Sequence, residues 1–253
     1  MGKKIAISNQ KGGVGKTTSS INISSGLAMK GKKVLLTDID PQGNSCSGLG
    51  LFIEDDQNSM YEVLLHDYPI KDVILKSPSE GLDVIPVNAH LSGAGIELTE
   101  VENREYKLKE VLETIRDDYD YIIIDCPPSL DLLTINGLTA ADSVLIPIQC
   151  EYYALEGMAK LMRTISLVQE GLNPELDIEG VLLTMYDSRT NLSNQVVEEV
   201  SSYFKDKVFQ TIIPRSVRIS EAPSHGQPID QYDPTGVGAR TYIKLVEEIL
   251  NNG

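Results

Sequence analysis

The run Ser8-Asn9-Gln10-Lys11-Gly12-Gly13-Val14-Gly15-Lys16-Thr17-Thr18 constrains this chain more than any other stretch. It follows an apolar strand candidate, Lys4-Ile5-Ala6-Ile7, and opens a helix that Gly31 should end. A glycine-rich turn between strand and helix aims backbone N–H groups and a helix N-terminus at one point, which suits an anion. Lys16 would reach the β- and γ-phosphates of a nucleotide, and the Thr17 hydroxyl would ligate magnesium. The standard pattern places a glycine at position 10. Here Gln10 stands there, the glycines have moved to Gly12 and Gly13, and a second lysine, Lys11, precedes them. An ordinary loop of this kind has no use for that lysine, so Lys11 requires a role of its own.

With 253 residues, 41% of them hydrophobic, the chain has the length of one α/β domain spanning 1–253. No stretch approaches the ~18 apolar residues of a membrane span, and residues 1–20 read as a working site rather than a leader. Cys46, Cys126 and Cys150 show neither pairing nor metal-ligand spacing, which fits a reducing cytoplasm. The formal net charge of −15 argues for solubility and against a general affinity for nucleic acid. The acidity is uneven, however. Residues 178–220 balance Glu179, Asp187, Glu198, Glu199 and Asp206 against Arg189, Lys205, Lys207, Arg215 and Arg218.

Short β-branched runs at 3–8, 33–39, 82–87, 120–125, 143–149, 179–185 and 208–213 predict strands. Several, such as Tyr121-Ile122-Ile123-Ile124, are apolar on both faces, as buried parallel strands must be. Amphipathic stretches at 15–30, 92–116, 130–141, 154–171, 192–204 and 238–250 predict helices. The alternation implies an α/β fold with a doubly wound, mainly parallel sheet flanked by helices on both faces. Such sheets bind ligands at the carboxyl ends of their strands. Asp38-Ile39-Asp40-Pro41-Gln42-Gly43, Asp125-Cys126-Pro127-Pro128-Ser129 and Pro214-Arg215-Ser216 all follow predicted strands, so polar turns gather where the ligand should sit.

Asp125 closes an apolar run, the position of an aspartate that holds a magnesium shell. Asp38 and Asp40 lie on one strand face. Either could serve the metal, and Asp40, nearer the strand end, is better placed to orient an attacking water. His66, His90 and His225 are too scattered for a metal site.

These residues carry a family resemblance. Lys11-Gly12-Gly13-Val14-Gly15-Lys16-Thr17 resembles the deviant Walker A loop of the ParA/MinD class of P-loop ATPases. Asp38-Ile39-Asp40-Pro41-Gln42-Gly43-Asn44 resembles the second switch motif of the ParA branch, and Ile124-Asp125-Cys126-Pro127-Pro128 its Walker B. Gln149-Cys150-Glu151-Tyr152-Tyr153-Ala154-Leu155-Glu156-Gly157 and Arg218-Ile219-Ser220-Glu221-Ala222-Pro223-Ser224-His225-Gly226 resemble the chromosomal ParA (Soj) proteins.

The resemblance implies an ATPase using ATP and Mg2+, with Lys11 through Thr18 as the phosphate cradle. It also implies that Lys11 crosses a nucleotide-sandwich homodimer to the partner's phosphates, while Gly12 and Gly13 let the two backbones approach. Lys16 and Thr17 would hold phosphate and metal, Asp125 would support the metal, and Asp40 would orient or activate the water. Met185 and Pro214 would lie near adenine. Further implications are ATP-dependent, non-specific binding of double-stranded DNA through Arg189 and Arg218, with Lys205, Lys207 and Arg215 as additions. A ParB-type centromere-binding partner and a nucleoid-associated place in the cytoplasm follow from the same resemblance. Glu97, Glu100, Glu102 and Glu105, on the predicted 92–116 helix, are candidates for the ParB contact. With no N-terminal helix-turn-helix in the sequence, operator recognition is not expected. The alternatives are a MinD-like membrane-associated ATPase, an iron–sulfur ATPase bridged through cysteine, and a metabolic ATPase of the same fold. The first needs a basic amphipathic C-terminal helix, whereas Tyr242–Gly253 holds two acids and one base. The resemblance as a whole implies no membrane partner.

Overall fold

A computed structural model describes residues 1–54, 56–152 and 158–252. The strands are β1 (Lys3–Ile7), β2 (Val34–Asp38), β3 (Leu75–Lys76), β4 (Leu82–Ile85), β5 (Tyr121–Asp125), β6 (Ser143–Gln149) and β7 (Asp177–Thr184). They form one sheet in the order β3-β4-β2-β5-β1-β6-β7, parallel throughout except that β3 runs antiparallel to β4. The helices are α1 (Lys16–Met29), α2 (Asn44–Ser47), α3 (Met60–Leu65), α4 (Ile70–Val73), α5 (Leu91–Glu97) and α6 (Lys107–Glu113). They continue as α7 (Leu132–Ala140), α8 (Met158–Gly171), α9 (Asn191–Phe204), α10 (Val217–Glu221), α11 (Ile229–Tyr232) and α12 (Val237–Asn251).

Alternation along the strands sorts the core into two layers, because successive side chains of a strand point to opposite faces. Ala6, Leu35, Ile122 and Ile124 pack beneath Leu91, Leu108, Leu133, Leu161 and Val200. Ile5, Ile7, Leu36 and Ile123 pack on the other face against Ile21, Leu27, Leu245 and Val246, from α1 and α12. The expected doubly wound sheet with helices on both faces is therefore what forms.

Several elements depart from the sequence expectation, among them the short helices α2, α3, α4, α10 and α11, which no predicted helix covered. Segment 208–213 is not a strand. Phe209 N and Ile213 N donate to Val181 and Leu183 carbonyls of β7 at 3.0 and 2.8 Å. Between them Gln210 N turns away to the Glu248 carboxylate of α12 at 2.9 Å, and Thr211 Oγ1 donates to the same carboxylate. Four residues of the segment thus advance against two of β7, which breaks the ladder, while the Glu248 side chain of the covering helix holds the donors that face away.

The predicted 92–116 helix is also interrupted. It is α5, a 3-10 turn at Leu98–Glu100, and then α6. Val101 is extended and Asn103 has φ 54°. Asn136 of α7 fixes the break, accepting from Leu108 N at 3.1 Å and donating to the Arg104 carbonyl at 2.8 Å. Glu97, Glu100, Glu102 and Glu105 consequently do not share one helix face. Finally, β3 was not expected, since two residues are too few to show a period. The first residues of the predicted 154–171 helix, and Tyr153–Gly157 of the Soj-like run, lie outside the described residues.

Candidate nucleotide site

β1 ends at Ile7 and the loop carries the chain into α1. Gly13 and Gly15 have φ of 73° and 90°, where a side chain would be strained. α1 starts on Gly15 with no side-chain cap and no acid in its first turn, so its leading N–H groups face outward for an anion. The loop is fixed from beneath by neighbours. Asn9 Nδ2 donates to the Pro147 carbonyl at 2.7 Å, and Asn9 Oδ1 accepts from Lys11 N at 3.0 Å. Thr184 Oγ1, at the end of β7, donates to the Val14 carbonyl at 2.8 Å.

Lys16 is buried at the centre, with Nζ donating to the Lys11 carbonyl at 3.2 Å. Burial pulls the Lys16 ammonium below its usual pKa, while Asp125, Cys126 and Asp40 push it back up. The Lys11 side chain differs. Among the described residues no hydrogen bond or ion pair engages its Nζ.

Parallel register supplies the carboxylates. Asp125 of β5 lies opposite Asp38 of β2 on one side and Ile7 of β1 on the other, at the mouth of the loop. Ser20 Oγ and Ser45 Oγ donate to the two Asp125 oxygens at 3.0 and 2.8 Å. Burial pushes Asp125 up to about 6, opposed by hydrogen bonds from Thr17, Ser45 and Ser20 and by the Lys16 charge. Asp38 is fully buried and raised well above the carboxylate range, by burial first and then by Asp125. Both its oxygens accept backbone donors, Asp40 N at 2.9 Å and Ser45 N at 3.0 Å. Of the two strand-end aspartates, then, Asp38 braces the turn. Asp40 heads that turn, accepting from Gln42 N at 3.0 Å.

This donor set fits a magnesium ion that arrives with phosphates. Magnesium takes hard oxygens, keeps several waters and relies on one or two carboxylates plus substrate phosphates. Thr17 and Asp125 are such donors, with Asp40 near Lys16. Among the described residues no group of three histidine, cysteine or carboxylate side chains would hold a metal ion alone.

Met185 and Pro214 line a cavity of about 90 Å³ that also takes in Gly15, Thr18, Ile219 and Tyr242. Met185 sits just past β7 with φ 53°, a strained conformation for a side chain of its size. It is followed by Tyr186 N donating to the Ile213 carbonyl at 3.0 Å.

Arg189, Arg215 and Arg218 follow β7 on this carboxyl edge. Lys207 does not join them. Its Nζ pairs with Asp177 at 3.0 Å, at the opposite end of β7, and Lys205 opens the same 3-10 turn. The strand has eight residues, which separates its two ends by about 23 Å. Cys46, Cys126 and Cys150 are all buried free thiols.

Sequence reasoning missed Ser20, Ser45, Asn9 and Thr184. Ser20 lies one helical turn after Lys16, a spacing that could have revealed it. Ser45 and Thr184 gave no signal, because their partners arrive through the tertiary fold.

Fold and loop together define a P-loop NTPase architecture. A family model described as an AAA domain matches residues 2–178. The chain is 59% identical to the sporulation initiation inhibitor protein Soj of Bacillus subtilis over 253 residues, all of both chains. It is 53% identical to the chromosome-partitioning ATPase Soj of Treponema pallidum, over 99% of this chain and 98% of that one. Among solved structures, one described as cobyrinic acid a,c-diamide synthase from Mycobacterium smegmatis with bound ADP and magnesium superposes with a TM-score of 0.88. Its identity is 38%, over 99% of this chain and 95% of that one. The chain belongs to the ParA/Soj family of chromosome-partitioning proteins.

Proposed function

We propose that residues 1–253 act as one partitioning ATPase unit that couples ATP and magnesium binding to DNA binding. In this reading Lys11 through Thr18 cradle the phosphates, with Thr17 and Asp125 on the metal side. The ion supplies neutralisation of phosphate charge; Asp40, heading its turn, positions the water. ATP joins two copies, the dimer binds double-stranded DNA without sequence preference, and a ParB-type partner stimulates hydrolysis that returns the protein to monomer. The protein then belongs on the nucleoid.

The observation that carries the reading is the division of labour between two lysines of one loop. Lys16 is buried and turned onto the loop's own backbone, while Lys11 is half-buried with Nζ engaging nothing among the described residues. A cation presented this way suits phosphates held by a second copy, and cations supplied in trans accelerate other NTPases about 10³–10⁵-fold. Relatives described as Soj, matched end to end, support the same assignment.

A membrane-associated ATPase of this class would need an amphipathic helix with a free apolar face. α12 has none to offer, since Tyr242, Leu245, Val246 and Ile249 are buried in the layer it shares with α1. No helix among the described residues is long and apolar enough to cross a membrane.

The test is binding to random-sequence duplex DNA with ATP, with ADP and without nucleotide, at two salt concentrations, with Lys16→Ala as control. ATP-dependent, salt-sensitive binding that Lys16→Ala loses is the expected result. Equal binding in all three nucleotide states, or none, overturns the reading.

A further inference from the structure

The arginines on the carboxyl edge are already occupied. Asp187 holds Arg189 at two points, Nε to Oδ1 at 2.9 Å and Nη2 to Oδ2 at 2.7 Å. This fork is the geometry with which a guanidinium takes a phosphate. Arg189 N also donates to Asp187 Oδ1 at 3.1 Å, so the turn itself brings the pair together. The Arg189 side chain is 84% exposed and that of Asp187 only 18%, which leaves the arginine displayed above a fixed carboxylate. Arg215 Nη2 pairs with Glu151 at 2.6 Å, and Arg218 Nη1 lies 3.4 Å from Glu221.

We propose that Asp187 is an internal stand-in for a DNA phosphate, seated in the Arg189 fork and displaced when the protein binds DNA. The proposal rests on the DNA-binding reading above and adds regulation to it. Its first consequence is a weaker contact, because exchanging a carboxylate for a phosphate returns only the difference between two charge-assisted pairs. Its second concerns salt. A neutralised phosphate releases a cation from DNA, but the abandoned Asp187 regains a solvated negative charge and draws cations back. If Arg189 and Arg218 of two copies met four phosphates unopposed, log K would fall with log[salt] at a slope of about −3.6. Exchange makes that slope shallower. A surface masked in this way holds DNA poorly in one copy and needs two copies on one duplex.

Asp187→Asn separates mask from turn. The amide oxygen can still accept Arg189 N, while the charged fork is lost. ATP-loaded protein would be titrated onto random-sequence duplex across a salt series. Affinity should rise roughly two- to fivefold per copy, the span of an exposed ion pair. The slope should steepen by up to about 0.9 per released arginine. In an Arg189→Ala background the same substitution should change neither quantity. Glu221→Gln is the second variant and should raise affinity through Arg218 by a smaller factor. Unchanged or weaker binding by Asp187→Asn overturns the inference whatever Glu221→Gln does, since Asp187 would then orient Arg189 rather than mask it. An equal gain without Arg189 overturns it too, leaving only an effect of net charge. Wild-type protein that binds no DNA at any salt overturns the DNA reading itself, an outcome distinct from normal wild-type binding that Asp187→Asn leaves unmoved.

Discussion

The charge at the amino end of the sheet and the charge gathered around the glycine loop at its carboxyl end are used in opposite ways. At the amino edge the charges nearest the strand ends meet opposites. Lys4, with a side chain 1% exposed, pairs with Glu113. Arg116 Nη2 spans both Asp142 oxygens at 3.0 and 2.9 Å, and Lys3 meets Glu179 at 2.9 Å. Around that loop Asp38 and Asp125 sit side by side in register, Asp40 heads the adjoining turn, and among the described residues the one ammonium buried with them is Lys16. Serine hydroxyls and backbone N–H groups, rather than salt bridges, hold these carboxyl groups. A balanced network leaves nothing for a ligand to do, whereas an unbalanced one waits for a cation.

The sharpest way to break this contrast is Asp40→Ala. It should lower ATP turnover by about 10³-fold, within the range for a residue that positions or activates the attacking group, while nucleotide affinity stays near wild type. Single-turnover hydrolysis beside calorimetric ATP binding checks both; joint loss would place Asp40 in the metal shell or the fold.

Next in size is Lys16→Ala. Leaving the carboxylates without their buried cation should weaken ATP binding by at least about 30-fold, the low end for truncating a buried charge pair. Calorimetry with ATP and magnesium reads this directly, and retained affinity would remove Lys16 from the site.

At the other edge Glu113→Ala should do the reverse. It strands the buried Lys4 ammonium, and the usual 3–5 kcal/mol shrinks to about 2 kcal/mol because Glu113 is itself partly exposed. Urea unfolding should register that loss while ATP affinity is unaffected. A change in affinity would mean that the two edges are not separate.

The smallest effect belongs to Ser45→Ala. Removing a neutral donor from Asp125 should cost about 1 kcal/mol of stability, by the net worth of one hydrogen bond. The cost should shrink when ATP and magnesium are bound, since the ion takes over part of the carboxylate's charge. Thermal melting with and without nucleotide reads both values.

Much of this was legible along the chain, for local reasons. A glycine loop between an apolar strand and a helix has few conformations open to it, so Lys11 through Thr18 read as a phosphate cradle without a structure. Runs apolar on both faces announced buried parallel strands, and Asp125 at the end of one announced the cleft. Where a tertiary partner competed for the backbone, the reading failed. Asn136 interrupted the 92–116 helix, and Glu248 holds the 208–213 segment where its ladder to β7 is broken. Neither competitor lies near its target in sequence.

Sequence by itself therefore determined the class of fold, the nucleotide loop and the types of residue able to do the chemistry. These follow from backbone preference and side-chain period, which act over a few residues. Tertiary structure alone decided which charges face one another. The register of β2 on β5 put Asp38 beside Asp125, Ser45 was brought between them from α2, and Lys207 was sent to the far end from Arg189. Coulombic pairing depends on distance in space, and the sequence carries no such distance until the sheet has formed.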